Sequence, residues 1–296
     1  EIMRSSVVCD MTLPWSKPYM IDEDVTLPRF KKAGIDFISL TVNISKNPLA
    51  ATMSHIAMVK AHIRARPELV FATTPEEIVA AKQQGKLALG LHFQGTEPLD
   101  GDVELVQSYY DLGVRHMLLA YNLKNAAGDG CIERTDAGLS KFGVRLVREM
   151  NRVGMLVDGS HTGYRTTMDA MEICEGPFIF SHSNADAVVP HYRNIKDDQI
   201  RGAARSGGLV GVNGVNEFLG DRHAASETMF RHIEHIVNLV GIDHVGIGLD
   251  YVRDVKAIWD WIQRDRDLWP QPDAQEQPEP AHAQPEQVAE LVDIML

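Results

Sequence analysis

Eight short runs of apolar and β-branched residues recur along the chain, each followed by polar residues and then by a segment with helical periodicity. This alternation is typical of a parallel α/β fold, and most runs are apolar enough to be strands covered on both faces. The runs are 6–11, 37–43, 87–93, 116–122, 154–161, 178–184, 209–215 and 244–250. Eight strand–helix units favour a closed (β/α)8, TIM-like barrel over an open sheet.

The segments between the runs carry their own helix start and stop signals. Thr74 precedes PEEIVAAKQQ and Gly85 follows it, while Ser140 precedes KFGVRLVREMNRV and Gly154 follows. Hydroxyl side chains accept hydrogen bonds from the first free N–H groups of a helix, and glycine adopts the left-handed conformation that ends one. These signals predict helices directly after the strands.

The chain of 296 residues is predicted to form a single barrel domain, 1–296. The stretch 265–287 is rich in proline and glutamine and has no apolar period, which predicts a mobile loop after the last strand. A helix then begins in QVAELVDIML and runs to Leu296. A missing C-terminal piece and a removed leader before Glu1 are both left open.

Composition narrows the partners. A net charge of -12 argues against nucleic acid and favours a small-molecule substrate, with a homo-oligomer left open. The apolar runs are all shorter than the ~18 residues of a spanning helix, which argues against a membrane partner and favours a cytoplasmic location. The three cysteines lie far apart, which predicts structural free thiols in a reducing compartment.

Chemistry in a barrel of this kind lies at the carboxyl ends of the strands, and there the sequence is strongly polar. His161 and His182 end the fifth and sixth runs, and Asp250 ends the eighth. Imidazoles that converge from neighbouring strands suit a divalent transition metal, so this trio predicts a metal site. The other polar residues at strand ends are Asp10, Thr12, Asn43, His92, Gln94, Tyr121, Asn122, Asp158, Ser160, Ser183, Asn184 and Asn213.

Several of these polar residues have a structural explanation. Asn43, Ser183, Asn184 and Asn213 are expected to cap helices or satisfy loop backbone groups. Between His92 and Gln94, strand alternation is expected to turn only one into the barrel, and Gln94 is favoured. Of the other histidines, His116 and His244 start strands and are assigned to the opposite end of the barrel. Helices are expected to hold His55, His62, His232 and His235, and a loop to hold His223.

The motifs YYDLGVRHMLLAYNLKN, GLSKFGVRLVREMNRVGMLVDGSH, FSHSNA with HYRN, and VGIGLD together resemble the membrane (renal) dipeptidases over nearly the whole chain. These are metallopeptidases with a two-zinc centre on an amidohydrolase-like, metal-dependent hydrolase barrel. The resemblance implies that His161 and His182 hold one zinc ion. It also implies that Arg193 binds a carboxylate or oxyanion of the substrate and that Asp250 is the acid/base group.

Other positions depart from the family pattern, as in a divergent bacterial-type member. The family's His-x-Asp pair on the first strand corresponds to Asp10 and Thr12, and its metal-bridging glutamate corresponds to Gln94. A histidine that polarises the substrate corresponds to Tyr121, which can still donate one hydrogen bond. Without the bridging carboxylate a second cation is disfavoured by repulsion, so one zinc is expected, bound by His161, His182, Asp10 and Gln94.

Three functions are compatible with this sequence. The first is hydrolysis of a dipeptide or similar small amide by metal-bound water, with Asp250 moving the proton, Tyr121 assisting, and Arg193 and Asn122 binding substrate. The second is a different reaction on the same barrel, as a non-peptide hydrolase, lyase or isomerase with one metal or none. The third is a non-catalytic ligand-binding protein.

Overall fold

A parallel sheet forms the centre of the computed structural model, which describes residues 2–15, 23–270 and 280–296. The neighbouring strands follow the order β7-β6-β5-β4-β2-β1-β9-β8, and β3 pairs with β4 beside this path. The strands are β1 Cys9–Pro14, β2 Phe37–Ile44, β3 Leu69–Phe71, β4 Leu87–Gln94, β5 Val114–Leu118, β6 Leu156–Asp158, β7 Phe178–Ile179, β8 Val210–Val212 and β9 Val245–Ile247. The order is that of consecutive strands laid side by side around a ring.

Helices occupy most of the segments between these strands. They are α1 Ile2–Ser5, α2 Glu23–Lys32, α3 Leu49–Arg64, α4 Pro75–Gln83, α5 Leu105–Asp111, α6 Lys141–Val153, α7 Tyr164–Ile173, α8 Asp197–Arg205, α9 Asn216–Leu219, α10 Ser226–Val240, α11 Val255–Arg264 and α12 Gln287–Met295. Thr74 and Glu77 form a capping box on α4, and the Ser140 hydroxyl accepts from the Gly143 N–H on α6 at 3.0 Å. Both predicted helix starts are therefore confirmed.

The ring closes between β7 and β8 through a single bridge. Phe180 pairs with Val210 in parallel, and the Gly211 N–H donates to the Phe180 carbonyl at 2.7 Å. The strands approach so closely here that a Cβ on Gly211 would lie 2.1 Å from the Ser181 carbonyl oxygen. The predicted (β/α)8 barrel is confirmed, and the closing contact depends on glycine.

The eight predicted runs all contain a strand, but several strands are shorter than predicted. The runs 154–161 and 178–184 form strands only at Leu156–Asp158 and Phe178–Ile179, so His161 and His182 lie in the loops just beyond. The chain leaves the strand direction at His161, whose φ is +61°. The short strand Leu69–Phe71 was not predicted, because three residues are too few to show a period.

The inside of the barrel holds a polar network. The Ser39 hydroxyl lies 2.9 Å from His92 Nδ1 and 3.0 Å from His116 Nε2, and the two imidazoles stack at 4.4 Å. His116 Nδ1 lies 3.1 Å from a carboxylate oxygen of Asp158, while His92 Nε2 lies 2.9 Å from the Thr41 hydroxyl. We call these five residues the barrel network, and all five are buried.

The barrel network corrects two expectations. His116 does not lie at the opposite end of the barrel, because its ring points into the interior and stacks on His92. His92 and Gln94 are two residues apart, so they share one face of the strand, and both contact the Thr41 hydroxyl. The expectation that only one of them faces inward was therefore wrong.

Parts of the stretch 265–287 pack against the barrel. Leu268 and Trp269 are buried, as are His282 and Ala283, whereas 271–279 lies outside the described residues. The mobility of this loop and the single domain 1–296 stay predictions.

The cysteines and the helices bear on two further expectations. Cys9, Cys131 and Cys174 are free thiols, and burial raises the pKa of Cys9 to about 11 and that of Cys131 to about 12. Thiols with such pKa values are poor nucleophiles. In the described ranges, none of the helices has the length and apolar character needed to cross a membrane.

Candidate active site

Four loops at the carboxyl ends of the strands bring the predicted site residues together. The rings of His161 and His182 lie 5.0 Å apart, centre to centre, and Tyr121 stacks on His161 at 4.0 Å with an interplanar angle of 20°. Asp250, Tyr121 and Gln94 line one cavity at the mouth of the barrel. The two histidines and the predicted acid/base group therefore occupy one end of the barrel.

His161 is oriented by Asn122. The Nδ1 of His161 lies 2.7 Å from the Asn122 side-chain oxygen, which can only accept, so Nδ1 carries the proton and Nε2 keeps a lone pair. Asn122 Nδ2 in turn donates to the Leu268 carbonyl at 2.9 Å. Since both ends of this buried amide already have partners, its geometry suits orienting His161, and its predicted contact with substrate stays a prediction.

His182 is held from its Nδ1 side. That atom lies 2.7 Å from the Ser181 hydroxyl and 3.2 Å from the Thr12 hydroxyl, and its Nε2 is buried without a hydrogen-bond partner among the described residues. Burial and the nearby Arg193 lower the pKa of His182 to about 3, so the ring is neutral. A neutral imidazole with one free nitrogen is the form that binds a metal.

Asp10 is fully buried on β1. One carboxylate oxygen accepts from the N–H groups of Thr12 and Leu249 at 3.0 and 3.1 Å, while the other has no partner within the part of the chain that is described. Burial, with a smaller contribution from Asp250, raises the pKa of Asp10 to about 7. One oxygen thus fixes the backbone, and the second stays available as a ligand.

The donor set decides which metal centre this site can hold. Across residues 2–15, 23–270 and 280–296, no group of three or more His, Cys, Asp or Glu side chains lies close enough to hold an ion. Gln94 donates through Nε2 to Thr41 at 3.2 Å, and its amide cannot bridge two cations as a carboxylate would. The Nε2 atoms of His161 and His182 are nitrogen donors of the kind that a divalent cation takes, whereas the amide of Gln94 cannot supply the bridging charge that a pair of cations needs.

Arg193 and Asp250 supply the charges of the site. Arg193 is 2% exposed, donates to the His182 carbonyl at 3.1 Å, and packs over the ring of Phe218 at 5.1 Å. Asp250 accepts from Asn213 Nδ2 at 3.2 Å. Burial raises the pKa of Asp250 to about 6, against the opposing effects of Arg193 and Asn213. A carboxyl group with that pKa can take up or release a proton near neutrality.

Three site residues adopt a left-handed backbone conformation. The φ angles are +59° at Asn122, +61° at His161 and +54° at Asp250. Residues other than glycine rarely adopt this conformation, although asparagine, aspartate and histidine do so more readily than the rest, and the strain costs of order 1–3 kcal/mol each. Strained backbone at three residues of one site is typical of a functional centre.

Sequence reasoning missed His282 and Trp269. His282 is buried beside Asp250 in the cavity at the mouth, and within the described chain neither ring nitrogen has a hydrogen-bond partner. Trp269 stands edge-on to both His161 and Tyr121 at 5.9 Å. Both residues fall in the stretch 265–287, which was interpreted as a loop. The three tryptophans at positions 259, 261 and 269 were a signal in the sequence that this region packs against the barrel.

Comparison with known proteins places these features in a family. The model of the membrane dipeptidases (peptidase family M19) matches residues 19–263. An uncharacterized dipeptidase from Schizosaccharomyces pombe is 36% identical over 192 residues, which is 62% of this chain and 46% of that protein. The chain thus spans less than half the length of this relative.

Solved structures agree on the fold. An amidohydrolase from Pseudomonas aeruginosa superposes with a TM-score of 0.85 at 25% identity, and the match covers 100% of this chain and 91% of the amidohydrolase chain. A metallopeptidase from Rhodobacter sphaeroides, liganded with a phosphinate mimic of L-Ala-D-Ala, has a TM-score of 0.78 at 21% identity, covering 98% and 92%. The second likeness supports the barrel fold alone.

Proposed function

We propose that this chain, which belongs to the membrane dipeptidase family (peptidase family M19), is a metal-dependent hydrolase of dipeptides or similar small amides. The observation that carries the proposal is the convergence of His161, His182, Arg193 and Asp250 at the carboxyl end of one barrel. The histidines bind metal, the arginine binds an anion and the carboxyl group moves a proton, which together are the groups that amide hydrolysis requires.

His161 and His182 would hold one divalent cation, for which zinc fits the nitrogen donors, and Asp10 and Gln94 are the candidates to complete its shell. When bound, the cation would supply Lewis acidity that activates water and polarises the carbonyl group. Asn122 and Ser181 fix the two rings from behind, so that each presents Nε2.

The proton would be handled by Asp250. With a pKa near 6 this carboxyl group is largely ionised at neutral pH, can accept a proton from the attacking water, and can deliver it to the departing amine. Arg193 would bind the substrate carboxylate or the developing oxyanion, since its guanidinium is buried and its Nε lacks a partner in the described ranges. Burial raises the pKa of Tyr121 well above its usual value, so its hydroxyl stays protonated and can donate to the carbonyl.

A second candidate is a different reaction with one metal or none. The missing three-ligand group among the described residues and the amide at Gln94 favour it, because both reduce the charge available to hold cations. Substrates with ester or lactone bonds would then be turned over while dipeptides would not.

The test is metal analysis of protein purified without chelators, paired with a panel of L,L and L,D dipeptides. We expect one divalent ion per chain, loss of that ion in His182→Ala, and loss of turnover with retained metal in Asp250→Asn. Asp243→Asn, at an exposed position, is the matched control and should leave both unchanged. Absence of bound metal together with absence of dipeptide hydrolysis after zinc or manganese is added would refute the proposal.

A further inference from the structure

An apolar cavity opens beside the site. Its volume is about 270 Å³, and Trp259, Trp261, Trp269, Phe218 and Ile262 line it. We call it the tryptophan cavity. The chain has four tryptophans, and three of them line this one space.

The tryptophan cavity is continuous with the reacting groups. Tyr121, Asp250 and Gln94 line it as well, and Trp269 packs edge-on against His161. A molecule held between His161 and Asp250 would therefore extend into this space. Part of the wall is wet without a ligand, because Trp259 and Trp261 are only partly buried.

The charges around the cavity sort the ends of a substrate. Of the described residues that line it, none is a lysine or an arginine, whereas Glu217 and Asp250 are acidic. Arg193 and Lys196 instead line a second, polar cavity, together with His161 and the acidic Glu133, Asp136 and Asp186. The cations that can pair with a substrate carboxylate therefore lie in the polar cavity, and the lining of the tryptophan cavity offers none. An apolar group gains by leaving water in the tryptophan cavity.

We propose that the tryptophan cavity is a specificity pocket for one large apolar or aromatic side chain of the substrate. The substrate's anionic end then lies at Arg193. His282, whose ring nitrogens have no hydrogen-bond partner among the described residues, offers a polar contact at the cavity wall. The kinetic test of this inference rests on the proposed function, because it requires dipeptide hydrolysis. The binding test does not require hydrolysis.

The kinetic test compares kcat/KM for Phe-Ala and Ala-Phe with that for Ala-Ala. One of the two phenylalanine peptides should place its phenyl group in the cavity, where Ala-Ala has only a methyl group. Because the phenyl group buries more apolar surface, kcat/KM for that peptide should be roughly 10- to 100-fold higher than for Ala-Ala. Trp261→Ala should reduce that preference to about threefold or less, whereas Ile242→Ala, at a position 73% exposed, should leave it unchanged. Trp259→Ala is the second variant if Trp261→Ala fails to fold.

The binding test uses non-hydrolysable phosphinate dipeptide mimics with a benzyl or a methyl side chain, measured by calorimetry. If no dipeptide is turned over but the benzyl ligand binds at least tenfold more tightly and either tryptophan variant removes the difference, the pocket stands and the proposed function fails. Equal affinity for the two ligands, no binding of either, or a preference that survives both variants overturns the inference.

Discussion

Removing the Asp158 carboxylate should be one of the most destabilising single changes in this protein. Its Oδ1 accepts from the N–H groups of Ser160 and Ser181 at 3.0 and 3.1 Å, and its Oδ2 lies 3.1 Å from His116 Nδ1. The residue is 0% exposed, so water cannot replace these partners. In Asp158→Ala three buried groups lose their acceptor, at about 1–2 kcal/mol each, which sums to roughly 3–6 kcal/mol.

The negative charge of Asp158 makes its own contribution to the stability of the folded state. Burial by itself would raise the pKa of Asp158, but the hydrogen bond and charge of His116 outweigh it and lower the pKa from 3.8 to about 2. A lowered carboxyl pKa stabilises the folded state above the unfolded pKa, and the effect is lost as pH falls from about 4 towards 2. The contribution at neutral pH is about 2 kcal/mol. Asp158→Asn keeps the shape and the Oδ1 acceptor, so it should cost about that much.

The assay is urea unfolding followed by circular dichroism, at pH 7 and again near pH 3. We expect the largest loss of stability for Asp158→Ala and a smaller loss for Asp158→Asn. The exposed control Asp243→Ala should change the free energy of unfolding by less than about 0.5 kcal/mol. The loss caused by Asp158→Asn should shrink at pH 3. A loss below about 1 kcal/mol for Asp158→Ala at pH 7 would show that the barrel network is not a stabilising element.

Three further changes have equally defined outcomes. Asp250→Asn should reduce turnover at least 100-fold. It should also stabilise the fold at pH 8 by up to about 3 kcal/mol, because the raised pKa of this carboxyl group costs the folded state stability as pH rises from about 4 through 6; urea unfolding that shows no gain contradicts this. Gly211→Ala should cost more than about 2 kcal/mol through its 2.1 Å clash with the Ser181 carbonyl, while Gly176→Ala, with nothing within 4 Å, should be tolerated; equal melting temperatures would refute the clash. Asn122→Ala should weaken divalent-ion affinity about 10- to 100-fold by calorimetry, and unchanged affinity would exclude an orienting role.

The barrel fold was predictable from the sequence because strand–helix alternation is a signal that runs along the whole chain. Each strand–helix unit has its own apolar run and helix caps, such as Ser140 and Gly154, so an error in one strand boundary did not affect the assignment of the next unit. The same logic placed His161 and His182 at one end of the barrel, since parallel strands bring their carboxyl ends to one edge. The exact end of each strand was not predictable, because a left-handed residue leaves no period in the sequence.

The interior polar groups were harder to predict. His116 looks like an ordinary strand residue, and only the register of three strands shows that it stacks on His92 and contacts Asp158. His282 was missed for a different reason. It lies after a proline-rich stretch with no apolar pattern, and its burial depends on contacts with distant residues such as Asp250.

The left-handed residues at 122, 161 and 250 also mark where loops could be exchanged. Each of them lies three or four residues after a strand ends, so the strand is part of the scaffold and the loop that contains the left-handed residue is part of the mouth. A transplant that keeps the turning residue and replaces only the loop beyond it leaves strand pairing untouched. These three positions are therefore suitable junctions for exchanging loops between this barrel and its relatives. The segment that contains α11 and its tryptophans begins just after Asp250 and could be exchanged as one unit.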